Sequence, residues 1–228
     1  MRLLRDELYK VVCMLFTPST NLLGTGIFIC KGNDTFLLTA NHVQEGLDKD
    51  SLLIMADENA DSTTIPLINL INASSWKIHP VADMAVVHID ISNYLALFTK
   101  RFFPYSQIDL GHTCFTKDRE VNSVGFPNGL GVGGKFSPLT FRSYVSSNYL
   151  TMQRGDKPIY SDFFCLENPS VGGYSGGPVL DLGYVVSGYA TSFFGDTRIL
   201  GIVHGTISDN TGGKIALITP MYYLSDIL

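Results

Sequence analysis

Short apolar runs alternate with turn-forming segments along almost the whole chain. The runs at 11–16 and 26–30 are separated by Pro, Ser, Thr and Asn residues, and the run at 35–39 follows a Gly-Asn-Asp turn. Apolar runs of this length between Gly, Pro and Asn are typical of β-strands joined by tight turns. The same signal predicts strands at 51–55, 84–89, 121–125, 141–145, 163–166, 183–190, 199–203 and 215–218.

This spacing predicts an all-β fold. Many short strands with 22 glycines and 10 prolines between them indicate barrels or a sandwich. The segment 101–118 carries no strong pattern and could connect two halves, and a short helix is predicted at 221–228 with one or two helical turns at 3–9. A chain of 228 residues fits one large all-β domain or two small ones.

Composition narrows the class of protein. Hydrophobic residues make up 45% and charged residues 16%, which indicates a compact globular protein. The net charge of −5 provides no electrostatic surface for nucleic acid or an anionic membrane, so neither partner is expected. Asp6 and Glu7 interrupt any secretory signal, and the run at 11–16 is too short to span a membrane.

The cysteines point to a reducing compartment. Four of them are widely spaced and form no C-x-x-C pair, so a metal site is not indicated. Without an export signal we expect reduced thiols and a cytoplasmic location, and a disulfide is the less favoured alternative.

The most specific chemical signal is the turn Gly173-Tyr174-Ser175-Gly176-Gly177-Pro178. Glycines on both sides of one serine allow a tight turn that exposes a nucleophile and aims backbone N–H groups at one point. An isolated Gly-Gly-x-Ser is more often a surface turn. A base and an acid elsewhere in the chain are needed to favour catalysis.

His42 and Asp83 are the candidates for those partners. His42 directly follows an apolar strand, where its imidazole would lie at a barrel rim, and Asp83 directly precedes the apolar run at 84–89. A carboxylate beside a buried run must be paired or hydrogen-bonded. Taken singly, His42 is more often a surface or capping residue, and Asp83 a turn residue.

Together these segments resemble the signatures of trypsin-like (chymotrypsin-fold) serine proteases. The order and spacing of T-A-x-H, D-x-A-[LV] and G-x-S-G-G-P in that family are matched by Thr39-Ala40-Asn41-His42, Asp83-Met84-Ala85-Val86 and Gly173-Tyr174-Ser175-Gly176-Gly177-Pro178. Three further segments resemble strands of the family, the first two in its bacterial, HtrA-like branch: Gly24-Thr25-Gly26, Val124-Gly125-Phe126-Pro127 and Gly201-Ile202-Val203. HtrA-like enzymes continue into a peptide-binding (PDZ) domain, and we expect none here because the chain ends at Leu228.

The resemblance implies two six-stranded antiparallel β-barrels with a short C-terminal helix. Residues 1–100 would form the barrel that carries His42 and Asp83, 101–118 the linker, and 119–228 the barrel that carries Ser175. It implies a serine endopeptidase in which Ser175 attacks the peptide carbonyl, His42 transfers the proton and Asp83 orients His42. The backbone N–H groups of Gly173 and Ser175 would form the oxyanion hole. A polypeptide is the implied substrate, and no metal or other cofactor is needed.

Two positions depart from the secreted members of that family. Tyr174 stands where those members carry an Asp that pairs with an N-terminus released by cleavage, so zymogen activation is not expected and the oxyanion loop must be ordered in another way. Pro169 stands where an acid selects Arg or Lys, so cleavage after Arg or Lys is not expected. Ser170, His204 and Thr206 are candidate pocket residues.

Several alternatives stay open at this stage. The strand at 183–190 could border the cleft instead of 199–206, and a one-residue shift would turn His204 away from the pocket. The protein could be latent until a separate activating or targeting protein binds, or a binding module that kept the protease fold. We interpret His79, His88 and His112 as structural or surface residues.

Overall fold

The computed structural model describes residues 1–71, 74–168, 170–208 and 210–228. The strands within these ranges are β1 (Val12–Thr17), β2 (Leu22–Lys31), β3 (Asp34–Thr39), β4 (Leu52–Ala56), β5 (Ser62–Pro66), β6 (Lys77–Ile78), β7 (Ala85–His88), β8 (Phe103–Pro104), β9 (Glu120–Gly125), β10 (Leu139–Tyr144), β11 (Leu150–Gln153), β12 (Tyr160–Leu166), β13 (Pro178–Asp181), β14 (Tyr184–Ser187), β15 (Ala190–Phe193), β16 (Arg198–Ser208) and β17 (Lys214–Pro220). The helices are all short: α1 (Asn41–Glu45), α2 (Ile68–Ile71), α3 (Leu95–Phe98) and 3-10 helices at Arg5–Val11, Ser92–Tyr94, Tyr105–Gln107, Pro127–Gly129 and Met221–Asp226. The predicted all-β class is therefore confirmed.

The N-terminal sheet has the order β5-β4-β1-β2-β3-β7-β6, and β8 adds to β2 in parallel. Its central strands β1 and β2 are apolar on both faces because each face meets a different core. In β2, Phe28 packs inside this sheet with Leu37 and Leu53. Ile27 and Ile29 belong to the cluster that also contains apolar residues of the second sheet. Side chains alternate across a strand, so a strand between two cores becomes a continuous apolar run.

The C-terminal sheet has the order β10-β9-β13-β16-β17-β12-β11. An antiparallel bridge between Val145 and Leu166 connects the end of β10 to β12 and so joins opposite sides of this sheet. The two sheets have eight and seven strands rather than six each. The excess comes from the two-residue strands β6 and β8 and from β11, which lies beyond β12 at the edge of its sheet.

The segments with weak patterns differ most from the predictions. The predicted single strand at 183–190 is wrong: β14 and β15 form a separate two-stranded sheet, with Gly188 and Tyr189 in the turn between them. Within 101–118, β8 pairs with β2, and the Arg101 side chain donates to the carbonyls of Ala56 and Asp57. The start of this segment is thus tied to the N-terminal sheet, whereas Ile108 forms a parallel bridge with Ile199 of β16. The division into 1–100, 101–118 and 119–228 stays a prediction.

Two other sequence-based expectations concern the thiols and the membrane. All four cysteines are free, and Cys13 is buried in the N-terminal core, where burial raises the pKa of its thiol. Among the helices of the described residues, none has the length and apolar character needed to cross a membrane.

Candidate active site

His42 and Asp83 meet at the ends of two paired strands. His42 is the second residue of α1, just after β3, and Asp83 lies in the turn just before β7. Because Thr39 of β3 is paired with Ala85 of β7, the two side chains emerge at the same edge of the sheet. Nδ1 of His42 lies 2.6 Å from Oδ2 of Asp83, and the backbone N–H of His42 donates to Oδ1 at 2.9 Å. The carboxylate therefore holds both the ring and the backbone of His42.

The turn that carries Asp83 is shaped by another histidine. His79 is buried, and its Nδ1 accepts the backbone N–H groups of Val81 and Ala82 at 3.1 and 2.7 Å. Its Nε2 lies 3.0 Å from Oδ2 of Asp226, which fixes the tautomer with the proton on Nε2. His79 is thus a structural residue. His88 is exposed on β7, and His112 packs on Tyr222.

The serine turn connects β12 to β13 and is held by the other sheet. Thr25 on β2 donates its backbone N–H to the Ser175 carbonyl and its hydroxyl to the Gly173 carbonyl, both at 2.8 Å. Gly173 has φ of 101°, and a Cβ there would lie 2.1 Å from the Phe126 carbonyl oxygen. Only glycine fits this position without strain. The Thr25 bonds fix the position of the turn relative to His42, which follows β3 in the same sheet as Thr25.

The candidate oxyanion donors are the backbone N–H groups of Gly173 and Ser175. The Tyr174 N–H donates to the Val171 carbonyl at 3.1 Å, which with the positive φ of Gly173 is the pattern of a type II turn. The Gly172 carbonyl accepts from Asn128, and the N–H of the same trans peptide, that of Gly173, points the opposite way. Among the described residues, the N–H groups of Gly173 and Ser175 donate to no other group. As far as the described residues go, both are available for a ligand.

The Ser175 hydroxyl donates to the His204 carbonyl at 3.2 Å. No hydrogen bond joins it to His42 in the described part of the chain. Hydrogen bonds between a nucleophile and its base are often loose or unformed before substrate binds.

Tyr174 anchors the serine turn in the core of the C-terminal sheet. Its side chain is 1% exposed, its hydroxyl donates to the Leu139 carbonyl at 3.0 Å, and its ring stacks on Phe141 with 5.2 Å between centroids. Burial raises the pKa of the phenol, so the side chain is neutral in ordinary buffers. Neutral packing and one hydrogen bond thus hold the turn at this position.

Truncating this anchor should destabilise the protein. Tyr174→Ala is expected to lower the free energy of unfolding by about 3–5 kcal/mol because it leaves a cavity the size of an aromatic ring. Tyr174→Phe removes only the bond to Leu139 and should cost about 1 kcal/mol. Urea unfolding measures both, with the fully exposed Tyr189→Ala as the matched control. Equal losses for Tyr174→Ala and Tyr189→Ala would contradict the anchoring role.

Asp83 accepts four hydrogen bonds although its side chain is 0% exposed. Besides the two bonds from His42, Nδ1 of His204 lies 2.5 Å from Oδ2, and Nη2 of Arg154 donates to Oδ1 at 3.1 Å. Burial alone would raise the pKa of this carboxyl, but the hydrogen bonds and charges of the two histidines lower it far below its usual value. Asp83 is therefore a carboxylate in any ordinary buffer.

His42 and Asp156 respond to the same cluster. Burial lowers the pKa of His42, but the hydrogen bond to Asp83 and the charges of Asp83 and Asp156 outweigh it, so the pKa lies above the usual value. Burial raises the pKa of Asp156, and two hydrogen bonds from Arg154, at 2.9 and 2.5 Å, lower it further than burial raises it. Sequence reasoning missed Arg154 and Asp156, because no motif marks these two charged residues on either side of Gly155.

The candidate pocket residues are all on or beside β16. The Gly176 N–H donates to the Val203 carbonyl at 2.8 Å, so β16, and not the 183–190 segment, borders the serine turn. The hydroxyls of Ser170 and Thr206 lie 2.6 Å apart. Pro169 lies outside the described residues. A cavity of about 320 Å³ is lined by His42, Gln153, Gly155, Asp156, His204, Gly205, Thr206, Ile207 and Leu217.

His42, Asp83 and His204 are also a possible cation site. Their ligand atoms all lie within 4.8 Å of one another, and imidazole with carboxylate suits transition metals. The guanidinium of Arg154 lies on the same carboxylate and would repel a cation there. Hydrogen bonding explains this cluster better than metal binding does.

Comparison with known proteins places the fold. No protein-family model and no curated protein matches the sequence. Among solved structures, the active form of the Rv3671c protease from M. tuberculosis is 16% identical and covers 96% of this chain and 80% of its own, with a TM-score of 0.62. The MamO protease domain from Magnetospirillum magneticum is 15% identical over 99% of both chains, with a TM-score of 0.63.

A third similar structure is the HtrA-type protease AlgW with a tripeptide, which is 21% identical with a TM-score of 0.60. The match covers 96% of this chain but 58% of AlgW. At this level of identity the likeness establishes the architecture and leaves the chemistry to the residues of the site. The chain therefore has the chymotrypsin-like double-barrel fold of these HtrA-type and related proteases.

Proposed function

We propose that this protein is a serine endopeptidase that uses Ser175, His42 and Asp83 as its triad. The observation that carries the proposal is the bond of 2.6 Å from His42 Nδ1 to Asp83. Because ionised Asp83 can only accept, it selects the tautomer with the proton on Nδ1. Nε2 is then left with a lone pair that can take the proton of a serine hydroxyl.

The proposed reaction is acyl transfer. Ser175 Oγ attacks the peptide carbonyl while His42 Nε2 takes its proton, and the N–H groups of Gly173 and Ser175 stabilise the oxyanion. His42 then donates the proton to the leaving amine, and water hydrolyses the acyl-enzyme with His42 again as base. No step requires a metal or other cofactor, and the substrate is a polypeptide.

Two finer features belong to the same proposal. Activation does not require a new N-terminus, because Tyr174 holds the serine turn by packing where an ion pair would otherwise be needed. The residue before the cleaved bond is not Arg or Lys. The hydroxyls of Ser170 and Thr206 lie 2.6 Å apart and offer a cation no charge. Asp156, the carboxylate among the residues that line the cavity, is already paired with Arg154.

A fluorophosphonate probe tests the nucleophile without a known substrate. Wild type should be labelled covalently on Ser175, and folded Ser175→Ala should not be labelled. Cleavage of a mixed peptide library by the wild type then reports specificity. Labelling at another residue would refute the triad, and a strong preference for Arg or Lys before the cleaved bond would refute the specificity.

One observation favours a second candidate, a protease that is latent until a partner binds. The Ser175 hydroxyl is directed to the His204 carbonyl rather than to His42. If a folded wild type labels only after a cell lysate is added, the latent form is supported. No labelling under either condition would favour a protease-fold binding module.

A further inference from the structure

The side chains of Arg154 and His204 both lie against the same two carboxylates, Asp83 and Asp156, beside His42. Arg154 donates to Asp83 at 3.1 Å and to Asp156 at 2.5 Å. His204 places Nδ1 2.5 Å from Asp83 and Nε2 4.0 Å from Asp156. Arg154 is 1% and His204 7% exposed, so neither interaction is a flexible surface contact. Asp83, Arg154, Asp156 and His204 thus form one compact cluster.

We propose that His204 is a positioning residue that fixes and partly neutralises Asp83, and through Asp83 sets the basicity of His42. This inference rests on the proposed function. Both histidines meet Oδ2 of Asp83, at 2.6 Å for His42 and 2.5 Å for His204. An oxygen that accepts a second N–H is a weaker acceptor for the first. With His204 bonded to Oδ2, the negative charge of Asp83 that acts on His42 is therefore smaller than it would be without His204.

The imidazole ring of His204 is also held in place by packing. The His204 imidazole lies 5.0 Å from the Phe163 ring and 5.7 Å from the His42 ring, measured between centroids. The backbone carbonyl of His204 accepts the Ser175 hydroxyl. His204 thus contacts Asp83 through its side chain and Ser175 through its backbone carbonyl.

The charges around His42 decide in which direction its pKa changes when His204 is replaced. Asp83 and Asp156 raise the pKa of His42 and Arg154 lowers it, with the ion pair of Glu45 and Lys157 next to the cluster. Loss of the His204 donor leaves Asp83 less neutralised, so the imidazolium form of His42 becomes more stable. The pKa of His42 then rises further, and the unprotonated base is lost at a higher pH.

Replacing His204 with asparagine or with leucine separates the effect of its N–H donor from the effect of its side-chain volume. Asn can place an N–H near the position of the imidazole Nδ1, whereas Leu cannot donate. We expect His204→Leu to lower the second-order rate of fluorophosphonate labelling by about 10- to 100-fold, and His204→Asn to stay within about threefold of wild type. His88→Leu, which changes an exposed histidine on β7, is the control and should match wild type.

The pH profile of labelling distinguishes positioning from a loss of structure. The wild-type acid limb should lie above about pH 6.5, the usual value for histidine. In His204→Leu it should move to higher pH, and in His204→Asn it should stay in place. An unchanged rate and acid limb in folded His204→Leu would overturn the proposal, as would equal losses in both variants.

Two further measurements keep the test decisive. If His204→Leu does not fold, His204→Gln takes its place, because the added carbon displaces the N–H; full activity of that variant would overturn the proposal. Proton NMR of the wild type should show two strongly deshielded imidazole N–H signals, of which His204→Leu retains one. These signals do not depend on catalysis, so a wild type that shows both but does not label refutes the proposed function alone.

Discussion

Replacing Ser175 with alanine is expected to lower the turnover of a cleavable peptide by about 10⁴- to 10⁶-fold. Without the hydroxyl no acyl-enzyme can form, and the remaining rate comes only from the oxyanion groups and from substrate positioning. The fold should be unaffected, because the contacts that hold the turn are made by the Ser175 backbone and by Thr25. Steady-state kinetics with a peptide found in the library screen measures the loss.

The matched control is Ser187→Ala. Ser187 is the last residue of β14 and is exposed in the separate hairpin. It should retain full turnover. A loss of less than tenfold in folded Ser175→Ala would end the assignment of this serine as the nucleophile.

The second large effect is expected for Asp83→Asn, which should lower turnover by about 10⁴-fold. An amide has only one acceptor oxygen. Its NH₂ group must therefore face either the two histidine rings that meet at Oδ2, where it selects the wrong tautomer of His42, or the two donors at Oδ1, which are the His42 backbone N–H and Arg154. The free energy of unfolding should also fall, by about 3–5 kcal/mol, because the buried cation of Arg154 loses one of its two carboxylates.

The stability difference has a defined pH dependence. The pKa of Asp83 is lowered on folding, so its contribution is fully present above about pH 4, the usual range for a free Asp, and is lost as the pH falls toward the lowered value. Wild type and Asp83→Asn should therefore converge in stability only in strong acid. Asp34→Asn, at the exposed first residue of β3, is the control. Equal pH dependence of all three proteins would contradict the role of Asp83.

The sequence predicted the fold well where the signals were local. Strands that lie between two cores are apolar on both faces, so they stood out as short continuous runs. The serine turn was recognisable because its tight backbone needs glycine at Gly173 and Gly176, both at positive φ. His42 and Asp83 could be found because each directly flanks such a run, and β3 pairs with β7.

The rest depends on contacts between residues distant in sequence. Arg154 reaches Asp83 over 71 residues, and His204 over 121. No spacing rule predicts such pairs. His204 was interpreted as a pocket residue because its strand resembles the one that borders the substrate cleft in trypsin-like proteases. Its ring lines the cavity near His42, but its Nδ1 is directed to Asp83. A pocket role for it stays a prediction.

The anchoring of the serine turn by Tyr174 has a consequence for the conditions that could loosen it. An ion pair weakens as salt is added, whereas burial of an aromatic ring is insensitive to moderate ionic strength and is strengthened by salts such as sulfate. Cold weakens the hydrophobic part of the same contact. The geometry around Ser175 should therefore be insensitive to added salt and should loosen on cooling.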